Sequence, residues 1–391
     1  MQKSRKKEQH IAVFGESGSG KTVLVSSFYG ATLEAQYNEE SLFEVVADNT
    51  AQGRFLHQNY LGMRGSAELP LATRFESESY SFAVNLKNQA KSKTEKDRPF
   101  DGLRLVWHDY PGEWFEQDRK GTEGEDRVST FKKLLRSDVA LLLVDGQRLL
   151  DNAGEEERYL KSLLTNISNG LRLMKDDLLE DGEPLVQFPR IWIMALSKSD
   201  LLPDVNVYEF RDLLIEKARN EIDRLEKVLG EFIQDRDALS VGEDFVLLSS
   251  AKFDAGKIEV TKRIGLELIL PLAAMLPFER HARWVQRMRT RGKVYGKLVA
   301  GAGTMAAALG GAGALASRLA ERDSKVLNAI GLLLTHFGST LDDVAELGAE
   351  KLKEANDDAL AKQENLRATL TGFQMDLDKG EKEQILLRSR R

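Results

Sequence analysis

Gly15-Glu16-Ser17-Gly18-Ser19-Gly20-Lys21-Thr22 sets glycines, a lysine and a hydroxyl in the spacing G-x-x-x-x-G-K-S/T. Glycines let successive backbone N–H groups curl around a polyphosphate without Cβ clashes, and a following helix N-terminus adds partial positive charge. Lys21 is placed to reach the β- and γ-phosphates, and the Thr22 hydroxyl to ligate Mg2+. Three further short patterns carry chemistry. Asp109-Tyr110-Pro111-Gly112 reads D-x-x-G: a carboxylate there holds Mg2+ through water, and the Gly112 N–H senses a terminal phosphate. Ser197-Lys198-Ser199-Asp200 and Ser249-Ser250-Ala251-Lys252 follow in that order. Each of the three alone is also what an ordinary strand-end turn looks like.

The elements that must position these residues explain why the set is informative. His10–Gly15 reads as a short buried strand, stopped by the glycine-rich turn and followed by a helix pattern at Thr22–Phe28. Tyr80–Leu86 and Leu103–His108 read as strands of a local hairpin across the charged stretch Lys87–Arg98. Val139–Val144, Ile191–Leu196 and Phe245–Leu248 are continuous apolar runs, the mark of strands buried on both faces. Helical patterns fill Glu155–Leu179 and Tyr208–Gln234. The alternation predicts an α/β fold with a largely parallel sheet covered by helices on both sides. All four patterns then fall at carboxyl ends of buried strands, where open α/β sheets bind ligands. Residues 31–72, polar and rich in glycine, are expected to be an irregular surface insertion with one or two short helices, and 150–190 a second insertion.

In this order the four pieces resemble those of the translation-factor-related (TRAFAC) class of P-loop GTPases: its phosphate loop, its D-x-x-G switch, its guanine-reading N/T-K-x-D and its S-A-K loop. The resemblance covers roughly residues 8–275. It implies that Asp200 accepts two hydrogen bonds from guanine, that Lys198 packs along the base and that the Ala251 N–H, between Ser250 and Lys252, faces the guanine O6. Ser197 departs from the family, which usually has Asn or Thr there. Thr73 is the candidate switch I ligand that completes the Mg2+ shell, with Thr50 a poorer one, and Glu113 stands where many members carry a water-orienting Gln. Asp109-Tyr110-Pro111-Gly112-Glu113-Trp114 is further similar to the D-Y-P-G-E-W of YcjX-like bacterial proteins, as is Pro70-Leu71-Ala72-Thr73-Arg74. The implied function is a Mg2+-dependent switch that binds and hydrolyses GTP. Turnover is expected to be slow, because no arginine finger can be assigned.

Composition bounds the rest. The 391 residues contain no Cys and five His, which excludes disulfides, Cys-ligated metals and thiol chemistry and leaves little room for a multi-His site. A net charge of −6 argues against bulk nucleic-acid binding, and the short apolar run Ile11–Phe14 against a signal peptide, so a cytoplasmic chain is expected. The domain reading is a GTPase-type unit at 8–277 and an all-helical C-terminal region at 278–391. In the latter, Arg280 to Lys297 holds seven Lys or Arg and no acid, and 298–317 is a run of twenty uncharged, mostly Gly and Ala residues. Three readings compete for 280–337: a close-packed helical hairpin, an anionic-membrane element, and a nucleic-acid patch with Trp284 and Tyr295 stacking, the last least favoured. The rival functions are accordingly a nucleotide-gated membrane protein acting through 280–337, and a P-loop ATPase. An unidentified protein effector is the expected partner of the helical region.

Overall fold

The computed structural model describes residues 6–66, 68, 70, 78–87, 100, 102–109, 122–179, 182–254, 257–288, 292–309, 345–361 and 364–390. Its centre is a sheet of parallel strands: β1 (Lys6–Phe14), β4 (Gly102–Asp109), β5 (Val139–Asp145), β6 (Ile191–Ser197) and β7 (Ser240–Leu248). Antiparallel strands β3 (Glu78–Leu86) and β2 (Phe43–Ala47) extend one edge, and β10 (Leu386–Leu387) closes the other. The eight-stranded order is β10-β7-β6-β5-β1-β4-β3-β2. Two short strands, β8 (Lys252–Asp254) and β9 (Lys257–Glu259), form a separate hairpin. Every residue of β5 and β6 is buried, as continuous apolar runs require of strands covered on both faces.

Alternate residues of β1, β5, β6 and β7 feed two cores. Ile11 and Val13 face one core, and Ala12 and Phe14 the other. The first is covered by α1 (Lys21–Thr32), α3 (Thr50–Ser66), α9 (Ile269–Arg287), α10 (Lys293–Ala308) and the helix Asn365–Lys382 near the C-terminus. The second lies under α4 (Thr122–Leu134), α6 (Glu156–Leu173) and α8 (Val207–Gly230), with α5 (Gly146–Asp151) and α7 (Lys175–Leu178) as short connectors. The hairpin expected between the second and third predicted strands is present as the β3–β4 pairing, Glu78↔Asp109 through Val84↔Leu103.

Two expectations are corrected. Residues 31–72 are not mainly irregular: besides the short α2 (Ala35–Glu40), they supply edge strand β2 and the 17-residue α3. Glycines lower helix propensity, which hid α3, whose Tyr60 packs where it does because α1 offers Gly30. A Cβ on Gly30 would lie 2.1 Å from the Tyr60 ring. The C-terminal region is not all helical either. After α11 (Ala345–Ala361) and α12 (Asn365–Lys382) the chain adds β10 to the main sheet.

Pro277, where composition changes, lies inside α9, and residues on both sides of it share one apolar core. The basic run is partly internal. Arg280 is buried, 2.7 Å from Asp244, and Arg283 donates to the Ser389 carbonyl at 2.8 Å. Trp284 and Tyr295 are 4% and 7% exposed, so neither is available to stack on a base. Within 298–317, Leu298, Ala302 and Met305 pack in the first core, and residues from 310 on lie outside the described set. No helix among the described residues is long and apolar enough to cross a membrane.

Candidate nucleotide site

β1 lies between β4 and β5, so successive crossovers leave it in opposite directions and open a crevice at its carboxyl end. Gly15–Gly20 turns there into α1. Gly18 and Gly20 hold φ of +79° and +91°, values that L side chains avoid. Lys21 folds back over the loop and is buried, its Nζ donating to the carbonyls of Gly15 at 2.9 Å and Glu16 at 3.0 Å. The Ser19 hydroxyl, also buried, has no hydrogen-bond partner among the described residues. From the first residues of α1, the Thr22 Oγ1 donates to Oδ2 of Asp109 at 3.2 Å, at the end of β4. The loop therefore carries a buried ammonium that donates to two loop carbonyls, and a buried hydroxyl, beside a paired hydroxyl and carboxylate. That is a donor set suited to phosphate and a hard divalent cation.

A contact that the sequence reading missed braces the loop. Arg148, on α5, places Nη1 2.6 Å from the Glu16 carboxylate and donates from Nη2 to the Ser17 carbonyl at 3.3 Å. The partners are 132 residues apart and belong to no pattern; the only sequence signal was the Asp145-Gly146 that ends β5.

The second half of the site lies where β6 and β7 end. Lys198 takes a left-handed conformation, φ +53°, and donates from Nζ to Oδ2 of Asp145 at 2.8 Å. The other Asp145 oxygen caps α5 through the Gln147 N–H at 2.9 Å, and its own N–H donates to the Tyr159 hydroxyl at 2.9 Å. Burial, and next the carboxylates of Glu16 and Asp145, raise the Tyr159 pKa, so this phenol stays neutral. Asp200 accepts from the Ser249 hydroxyl at 2.6 Å and the Phe253 N–H at 3.2 Å. Ser249 stood in a quoted sequence pattern without an assigned role, and Phe253 in none. Ser250 and Ala251 are buried beside them, Lys252 is exposed, and the Ser197 hydroxyl donates to the Val144 carbonyl at 3.3 Å. Three sequence candidates, Thr73, Gly112 and Glu113, lie outside the described residues.

The family model for Double-GTPase 2 matches residues 9–238, well over half of the chain. This chain belongs to the Double-GTPase 2 family. It is a GTP-binding protein of the switch type, and the matched span runs from β1 past Asp200, taking in the phosphate loop and Asp109 and ending before Ser249. No curated protein matches the chain. Solved structures similar to it include a variant Era of Aquifex aeolicus bound to GDP and aluminium fluoride, 14% identical over 74% of this chain and 70% of that one, TM-score 0.25. Era with MgGDPNP and a segment of 16S ribosomal RNA is 15% identical over 73% and 69%, TM-score 0.24. Roco2 of Methanosarcina barkeri bound to GDP is 13% identical over 84% and 67%, TM-score 0.23. At such scores these likenesses carry no argument; the chain's own strand order and the family match carry it.

Proposed function

We propose that this Double-GTPase 2 member binds GTP with Mg2+ in the crevice above β1 and hydrolyses it to GDP and phosphate. The observation that carries the reading is the Thr22–Asp109 contact at the mouth of a loop that already encloses the Lys21 ammonium. Thr22 and Asp109, both hard oxygen donors, would hold Mg2+, which keeps most of its shell as water and phosphate and needs few protein ligands. When bound, the ion neutralises charge on the β- and γ-phosphate oxygens. Lys21 would exchange the Gly15 and Glu16 carbonyls for phosphate oxygens, and the Ser19 hydroxyl and the N-terminus of α1 would supply further donors. A water oxygen then attacks the γ-phosphorus in line, and the bond to the β–γ bridging oxygen breaks. Gly112 and Thr73 are the proposed sensors of the γ-phosphate, and Glu113 the residue beside the attacking water.

Base selection is assigned to Asp200. Its two oxygens, each of which already accepts one protein hydrogen bond, would also accept the guanine N1 and N2 protons; adenine offers no such pair of donors to them. Lys198, tied to Asp145, would flank the base. The D-Y-P-G-E-W motif supports kinship with YcjX-like proteins, and the helices beyond residue 287 are the proposed effector surface. Lys21→Ala is expected to weaken GTP binding by about a hundredfold or more with the fold retained, because Lys21 serves phosphates and belongs to neither apolar core. Calorimetry with GTP and ATP, followed by phosphate release with and without Mg2+, tests the reading. Unchanged binding in Lys21→Ala, or a preference for ATP, overturns it.

A further inference from the structure

At the amino ends of the parallel strands, far from the nucleotide crevice, two adjoining hollows of about 310 and about 400 Å3 open beside α10. They share Arg136, Val186, Gln187 and Lys297. Lys7 and Arg190 line the first, and Lys132 and Lys293 the second. Arg190 spends its donors on the carbonyls of Val186, Gln234, Asp235 and Ala238, and so acts as a fixed charge. Lys7, Lys132, Lys293 and Lys297 pair with no carboxylate among the described residues. Among the described residues two acids line the hollows. Asp138 accepts the His10 N–H at 2.7 Å, and Glu183 lines the second hollow.

Three further observations point to a ligand. The Ser137 hydroxyl, at the wall of the first hollow, is buried without a hydrogen-bond partner. Burial, and next Arg190 and Lys7, push His281 on the same wall down to about 3, the response of an imidazole in a positive field. Helix α10 starts without a side-chain cap or an acid in its first turn, with Lys293 and Lys297 in its first two turns. Cations stabilise helix carboxyl ends, which accounts for Lys132 in the last turn of α4 but runs against Lys293 and Lys297 at the amino end of α10. An anion there would satisfy the lysines, the first-turn N–H groups and the Ser137 hydroxyl together. Pro277, Phe278, Leu298 and Met305 give the first hollow an apolar side.

We propose that these hollows bind a phosphate ester that carries an apolar portion, its phosphate on Lys293, Lys297 and Arg136. Such a group is offered by an acidic phospholipid or by a soluble phosphate ester, and the test separates them. Full-length protein, with its nucleotide site saturated by GDP, is titrated calorimetrically with monomeric short-chain phosphatidic acid and with pyrophosphate. It is also floated with phosphatidylcholine vesicles with and without long-chain phosphatidic acid. The expected result is saturable binding of short-chain phosphatidic acid, weakened about tenfold or more in Lys293→Glu/Lys297→Glu. The unfolding midpoint should be retained, and Lys293→Gln/Lys297→Gln should be intermediate. Vesicle capture that the charge reversal abolishes identifies the lipid as source; capture by the soluble probes alone identifies a free phosphate ester. Absence of saturable binding to every probe, or binding that the charge reversal leaves intact, overturns the proposal.

Discussion

Glu16 sets the main electrostatic problem of the site. It is a buried carboxylate on the very loop that must hold phosphates, and the Arg148 guanidinium pairs with it at 2.6 Å. Arg148→Ala is therefore expected to weaken GTP binding by about ten- to a hundredfold, because the buried Glu16 carboxylate then loses a guanidinium partner beside the triphosphate. The double variant Glu16→Gln/Arg148→Ala should recover most of that loss, and equilibrium titration of the four proteins of the cycle reads it out. A loss that Glu16→Gln does not repair would mean that Arg148 contacts nucleotide directly. The same scale shows where pattern reading stops. Only Ser250 fits the S-A-K match directly before Ala251, yet the hydroxyl that reaches Asp200 is that of the preceding Ser249. Only the backbone path at the end of β7 decides between them. Likewise Lys21, Thr22 and Asp109 were legible because each belongs to a short pattern at a strand end, whereas Arg148 was not, since its partner stands 132 residues away in the chain.

At the element scale, the parallel strands were legible because both of their faces are buried, which writes an unbroken apolar run. The edge strand β2 and helix α3 were not, because β2 buries alternate residues on one face only and α3 carries glycines at Gly53, Gly62 and Gly65. The helix crossing of α1 and α3 yields a paired prediction. Gly30→Ala would drive a Cβ into the Tyr60 ring and should destabilise the chain by about 1–3 kcal/mol. Gly372→Ala, in the middle of α12 with nothing within 4 Å of its Cβ position, should instead stabilise it by about 0.5–1 kcal/mol. Urea denaturation of both variants measures the two signs. Equal effects would show that packing at Gly30 does not set the crossing.

Across the whole molecule, the C-terminal segment is fastened to the sheet by buried charge as well as by β10. Arg388 meets Glu279 at 2.9 Å, Asp378 at 2.6 Å and Glu381 at 2.7 Å, while Arg280 meets Asp244 under the same edge. Burial alone would lower the Arg388 pKa; the three carboxylates outweigh it and hold the guanidinium charged. Breaking one side of such a cluster is costly, so Arg388→Ala should destabilise the chain by about 3–5 kcal/mol in the same urea assay. Acid acts through His281, held down to about 3 from an ordinary 6.5 by burial and neighbouring cations. The unfolded chain takes up this proton first, so the stability is whole above about pH 6.5 and is lost as pH falls toward about 3. Asp376, raised to about 6 by burial and Glu267, works the other way, gaining stability as pH falls toward 3.8. Comparing urea midpoints of wild type and His281→Asn across that window isolates the histidine, and the variant should show the shallower acid slope.

The central claim is that one crevice reads both phosphate and guanine, and it is tested most directly by exchanging the base reader. Equilibrium binding of GTP, ATP and xanthosine triphosphate should be measured for wild type and Asp200→Asn. Wild type should prefer GTP. The variant offers a donor where guanine presents one, so it should lose GTP and gain xanthosine triphosphate, whose C2 oxygen accepts. A wild type that prefers ATP, or a variant that keeps its preference for GTP, would contradict the account.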